Sequence, residues 1–157
     1  MRRTQLAFGI VAVALVALAV TGPVGAQGGG DKALFAVLTG AKEISPNGDR
    51  GAGDRNGRGS FSATLDGRLL CYGIQVKNVD DPAAAHIHRG GRRVAGPVIQ
   101  LLEHPESGDP GSSTECVRIA RGLARQLRSR PGRFYVNVHT PAYPNGAVRG
   151  QLFARSR

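Results

Sequence analysis

Apolar and polar residues alternate with period two along most of this chain. In residues 59–65, Phe61, Ala63 and Leu65 alternate with Ser60, Ser62 and Thr64, the signature of a strand with one buried face. Asp66-Gly67 marks a tight turn. Residues 68–76 then place Leu70, Tyr72, Ile74 and Val76 on one face, with Cys71 and Gln75 on the other. Residues 33–39 (ALFAVLT), 84–88 and 97–102 (PVIQLL) read as further short strands. A hairpin follows over residues 133–140 and 147–154, joined by a turn rich in Pro, Asn and Gly. In its first arm Phe134, Val136 and Val138 share one face, and Tyr135, Asn137 and His139 the other. In its second arm Val148, Gly150 and Leu152 oppose Arg149, Gln151 and Phe153. Residues 45–58, 78–82 and 103–113 read as turns and loops. Short alternating strands between such punctuation predict an all-β, antiparallel sandwich or barrel, with no internal repeat and no second domain.

One stretch departs from period two. Ile119, Leu123 and Leu127 recur every four residues, while Arg118, Arg121, Arg125 and Arg128 follow at spacings of three and four. At 100° per residue the two sets fall on opposite sides of a helix, which predicts a short helix within residues 116–129. Gly122 weakens it by about 1 kcal/mol relative to Ala, and Pro131-Gly132 stops it. Such a basic helix suits an anionic polymer or lipid surface, or simply covers one end of the strands with its arginines solvated.

The first residues carry no such patterning. Arg2-Arg3, an apolar run over residues 6–20, and Val24-Gly25-Ala26 have the order of a secretory signal, giving a leader of residues 1–26. The rival reading is an uncleaved membrane anchor, for which the apolar run is short, since a span needs about 20 residues. A flexible Gly-rich segment, residues 27–32, then leads into a domain over residues 33–154. Export places Cys71 and Cys116, the two cysteines of the chain, in an oxidising compartment, where an isolated pair most simply forms one disulfide. Lys and Arg number 21 against 11 Asp and Glu, for a formal net charge of +10. Lys32, Lys42 and Lys77 are the only lysines, an arginine bias that fits either polyanion binding or genome composition. Aromatic residues do not interleave with the arginines, so nucleic acid is not an expected partner.

The chemistry-bearing residues are histidines. His86 and His88 leave the same face of a strand while Ile87 enters the core. His139 lies on the polar face of its own strand. A strand His-x-His plus a third His from a neighbour makes a three-nitrogen site for Cu²⁺ or Zn²⁺. The bland alternative is that these rings hydrogen-bond loop backbone and fix strand ends. Asn137 and Arg149 are outer-face neighbours of His139 across the hairpin, suited to an anion beside a metal or to an outer supporting layer. An Arg on a strand face also commonly pairs with a carboxylate or lies on an aromatic ring, here Tyr135 or Tyr143. No catalytic residue is assigned: Gly-x-Ser-x-Gly, P-loop and dinucleotide fingerprints are absent.

Five stretches, in order, resemble the CHRD domain, named for its copies in chordin and found also in exported bacterial proteins. They are Leu38-Thr39-Gly40-Ala41-Lys42-Glu43, Ala85-His86-Ile87-His88-Arg89-Gly90, Gly96-Pro97-Val98, Phe134 through Thr140, and Gly146-Ala147-Val148-Arg149-Gly150-Gln151-Leu152. The resemblance spans nearly the whole chain after the leader. It implies an immunoglobulin-like β-barrel distantly similar to Cu/Zn superoxide dismutase, and it brings no established activity. A full dismutase site needs more histidines than the four present. Three readings therefore stand: a non-enzymatic extracytoplasmic binding or structural module; a copper- or zinc-binding barrel through His86, His88 and His139, with weak redox activity at most; and a surface protein binding acidic polymers from Arg118 to Arg133. Each places the protein in the periplasm, cell wall or extracellular space without a stable membrane span. The leader reading predicts that exported protein begins at Gln27, and an intact mass that retains Met1 would refute it.

Overall fold

A computed structural model describes residues 30–155; the leader read over residues 1–26, and part of the Gly-rich segment after it, lie outside the described residues. Each period-two run forms a strand, and one further strand, β6, forms where none was expected. The strands are β1 (Lys32–Thr39), β2 (Arg58–Asp66), β3 (Leu69–Lys77), β4 (Ala84–Arg89), β5 (Val98–Leu102), β6 (Gly111–Arg118), β7 (Phe134–His139) and β8 (Val148–Gln151), with one helix, α1 (Arg121–Ser129). The strands form a single antiparallel sheet in the order β5-β4-β7-β8-β1-β2-β3-β6. Its two edges approach each other where the Ser113 hydroxyl on β6 donates to the Glu103 carbonyl just after β5. The Tyr72 hydroxyl accepts the Glu103 N–H at 2.6 Å and donates to Glu115 at 2.8 Å. The expected antiparallel sandwich or barrel, with one short helix, is thus a nearly closed barrel.

The inner face is the apolar half of each alternation. Leu34, Leu38, Phe61, Ile74, Ile87, Val136, Val138, Val148 and Leu152 are all essentially without solvent contact. Burying side chains of this size contributes about 1.5–3 kcal/mol each, and because the period is two, a one-residue slip of any strand would turn its whole set outward. Register is therefore strongly specified. The β2–β3 hairpin shows the local part of the specification. Gly67 adopts φ +52° at its turn, a left-handed conformation that glycine reaches without a Cβ penalty.

The structure corrects the reading of residues 103–129. Gly111–Arg118 is strand β6, paired with β3 from Leu69↔Arg118 to Val76↔Gly111, not the end of a loop followed by helix. The helix begins only at Arg121. An edge strand needs one neighbour and buries little, so Ser112, Ser113, Thr114 and Glu115 carry no apolar alternation to reveal it. Ile119 precedes the helix yet is buried with Leu123 and Leu127, which is why the spacing of four ran past the helix start. α1 closes one end of the barrel through Leu123, Ala124 and Leu127. Arg128 clamps it there by donating to the Leu65 carbonyl at 2.8 Å and the Gly30 carbonyl at 3.0 Å. Among the described residues no helix is long and apolar enough to cross a membrane.

β6 also places Cys116 directly opposite Cys71 on β3. The two are joined in a disulfide with Cα atoms 3.9 Å apart. It staples the edge strand across a sequence separation of 45 residues, and on the chain-entropy account a loop of that size is worth about 4 kcal/mol. Reduction should lower the unfolding free energy by about 2–4 kcal/mol and with it the melting temperature. Superimposable denaturation curves for oxidised and reduced protein would contradict a stabilising bridge.

Candidate metal centre

β4 and β7 lie side by side with Ala84 opposite His139, His86 opposite Asn137 and His88 opposite Tyr135. Ile87 is wholly buried, so His86 and His88 both leave the outer face. Antiparallel pairing puts His139 diagonal to His86, within reach of its ring. His86 Nδ1 is 2.9 Å from His139 Nε2. One nitrogen from each of His86, His88 and His139 lies within 4.8 Å of the others. The three sequence-predicted histidines are thus one cluster. His104, on the loop after β5, stands outside it with its Nδ1 against the Pro105 carbonyl.

Two backbone carbonyls set the protonation of the rings. His88 Nδ1 lies 2.8 Å from the Gly96 carbonyl oxygen, and His139 Nδ1 lies 2.9 Å from that of Pro144. A carbonyl oxygen only accepts, so each Nδ1 carries the proton and each neutral ring has its lone pair at Nε2, which on His139 lies within hydrogen-bond distance of His86 Nδ1. His88 Nε2 is buried without a hydrogen-bond partner. His139 Nε2 also faces Asn137 Oδ1 at 3.0 Å, a second acceptor. Burial lowers the pKa of all three rings. His86 is pushed down to about 4, with repulsion from His139 and His88 adding to its desolvation. His88 and His139 are lowered chiefly by desolvation, against the opposing pull of the Gly96 and Pro144 carbonyls. At neutral pH the cluster is three uncharged imidazoles, the form that ligates metals.

A second layer supports the rings. Tyr135 stacks on His88 with centroids 4.7 Å apart and planes 11° from parallel. The Arg149 guanidinium lies over Tyr135, its Cζ 3.4 Å from the ring centroid. It donates to the carbonyls of Gly91 at 2.8 Å and Val94 at 3.0 Å and faces Glu43 Oε1 at 3.8 Å. Of the roles weighed for Arg149, the structure shows the carboxylate partner and the aromatic platform. Glu43 follows β1 and is 1% exposed. Desolvation raises its pKa, partly offset by the Ile44 N–H and the Arg149 charge. Gly146 makes room for this layer: a Cβ there would fall 2.2 Å from Glu43 Oε2 and 2.9 Å from Asn137 Nδ2, and its φ is +129°. A cavity of about 300 Å³ adjoins the rings, bounded in part by His88, His139, Glu43 and Tyr135.

The CHRD domain matches residues 34–152. The chain belongs to the CHRD-domain family. No curated protein matches it. The CHRD match runs from β1 through β8, so it takes in the histidine cluster and its supporting layer. Within this CHRD domain, sequence reasoning missed Glu43 and the carbonyls of Gly96 and Pro144. Glu43 stood in a resembling stretch, but a lone acid after a strand carries no signal of its partner. Backbone carbonyls carry no sequence signal at all.

The histidine shifts fix a pH dependence. Unfolded His86 binds its proton near 6.5 and the folded ring only near 4, so stability is full above 6.5 and is lost as pH falls through that window. The denaturation midpoint of the metal-free protein should drop across it, and His86→Gln should flatten the drop. A wild-type midpoint constant from about pH 7 to 4.5 would contradict the burial of neutral rings.

Proposed function

We propose that this CHRD protein is an exported, non-enzymatic module that binds Zn²⁺ or Cu²⁺ through His86, His88 and His139. The observation that carries the reading is the pair of carbonyls on His88 and His139. Both rings have Nδ1–H directed into backbone, which leaves Nε2 for a ligand, the arrangement by which outer partners orient metal-binding histidines. A buried Nε2 without a partner on His88 is costly in a purely structural role. A cation relieves it. Metal–nitrogen bonds of about 2.0–2.1 Å require the rings to close by about 1–2 Å in total, within the range of small rotations. The adjoining cavity leaves room for water or an anion as a further ligand. Zn²⁺ and Cu²⁺ both suit an all-imidazole set. His88, His139 and their neighbours do the holding and orienting; Tyr135 and Arg149 keep His88 in place.

Export rests on the Arg2-Arg3 leader with its apolar run and on the Cys71–Cys116 disulfide, a bond that persists mainly in oxidising compartments. Binding of acidic polymers from Arg118 to Arg133 has less support, because Arg128 is occupied in clamping α1 to the barrel.

Protein purified without a tag should bind close to one Zn²⁺ or Cu²⁺ per chain. Saturation at about 100 times Kd should add about 2.7 kcal/mol of stability. His88→Ala and His139→Ala should each abolish high-affinity uptake and leave the strand circular dichroism intact, since Ile87, Val136 and Val138 hold the core. Calorimetric titration with no saturable binding, or variants that bind as the wild type does, would refute the site.

A further inference from the structure

The outer face carries a second cavity, beyond Glu43 and Arg149 from the histidines. Its volume is about 330 Å³, and its lining includes Lys42, Arg50, Arg92 and Arg149 together with Val37 and Phe153. We propose that this cavity binds a small organic anion with an apolar body, such as a medium-chain or aromatic carboxylate. The reading is independent of metal binding.

Charge is the first argument. Four cationic side chains line one cavity, and no acidic residue does. The only ion pair among the described residues is Arg149 with Glu43, so Lys42, Arg50 and Arg92 face the cavity uncompensated. Lys42 is held in place by donating to the Val37 carbonyl at 2.6 Å. Partial burial, and after it the nearby Arg92 charge, lower its pKa, and a bound anion would oppose both. Arg149 is 1% exposed, and its Nη1 reaches Glu43 Oε1 only at 3.8 Å, beyond hydrogen-bond distance.

Apolar walls are the second argument. Val37 on β1 is 55% exposed and Phe153, just past β8, is 47% exposed. Phe153 is braced by Phe35, ring centroids 5.8 Å apart, and Ile44 lies between this cavity and the one beside the histidines. A volume near the low end of small-molecule sites, about 300–1,000 Å³, fits a single small ligand. Guanidinium groups match planar carboxylates in two-point contact, while Val37 and Phe153 take the hydrocarbon part.

The test is an amide NMR titration of the whole protein with sodium octanoate, octylamine and inorganic phosphate. Octanoate should give saturable shifts centred on Lys42, Arg92 and Phe153. Octylamine, with the same tail and opposite charge, should give none, and phosphate, with charge and no tail, should bind far more weakly. Arg50 and Arg92 are exposed, so the R50E/R92E double variant should keep the fold and weaken octanoate binding by about tenfold or more. The proposal is overturned if octanoate does not saturate, if octylamine or phosphate matches it, or if R50E/R92E binds octanoate as the wild type does.

Discussion

A buried arginine organises the outer face of this barrel. Arg149 sits on β8 with 1% exposure, and a charge so placed must find partners or unfold its surroundings. It finds them on three sides: the Tyr135 ring beneath it, the Gly91 and Val94 carbonyls of the loop after β4, and Glu43 after the short turn that follows β1. Those contacts tie two loops to the sheet. One of them brings the Gly96 carbonyl to His88. Removing either member of a buried pair leaves the other charge uncompensated, at a cost of about 3–5 kcal/mol. The histidine cluster and the basic cavity flank this single arginine.

The histidines show how a barrel wall gathers three imidazoles from two neighbouring strands. Period-two geometry alone sends His86 and His88 outward, and antiparallel pairing brings His139 alongside. Burial then keeps the rings neutral, and carbonyls aim two of them. On the metal-binding proposal each step would lower the work of binding, because the rings are neutral and oriented beforehand. That same preorganisation makes the metal-free protein sensitive to acid, since protonation must occur where desolvation opposes it.

At the other extremity of the sheet the arrangement is mechanical. β6 is a polar edge strand held by backbone pairing to β3, by the disulfide and by the Tyr72–Glu115 hydrogen bond. α1 covers the adjoining end of the barrel. Its arginines differ in use: Arg128 binds backbone carbonyls across the helix–strand junction, whereas Arg121 and Arg125 remain exposed.

Strand identity, inner and outer faces, and the pairing of two cysteines were legible in the chain, because a half-buried strand writes its two faces into alternate residues and an isolated pair in an oxidising compartment has one simple outcome. So were the outward direction of His86 and His88 and the outer-face neighbourhood of Asn137, His139 and Arg149. Strand β6 was not legible, because an edge strand that buries little has no apolar period to display. The convergence of His139 on the β4 pair depended on β4 and β7 being neighbours across 53 residues of chain, a matter of sheet order that no local pattern encodes. Tertiary structure alone decided which nitrogen of His88 and of His139 carries the proton, that Glu43 meets Arg149, and that Lys42, Arg50 and Arg92 share a cavity. All three follow from backbone and side chains brought together by barrel closure, over distances at which a sequence has no physical contact with itself.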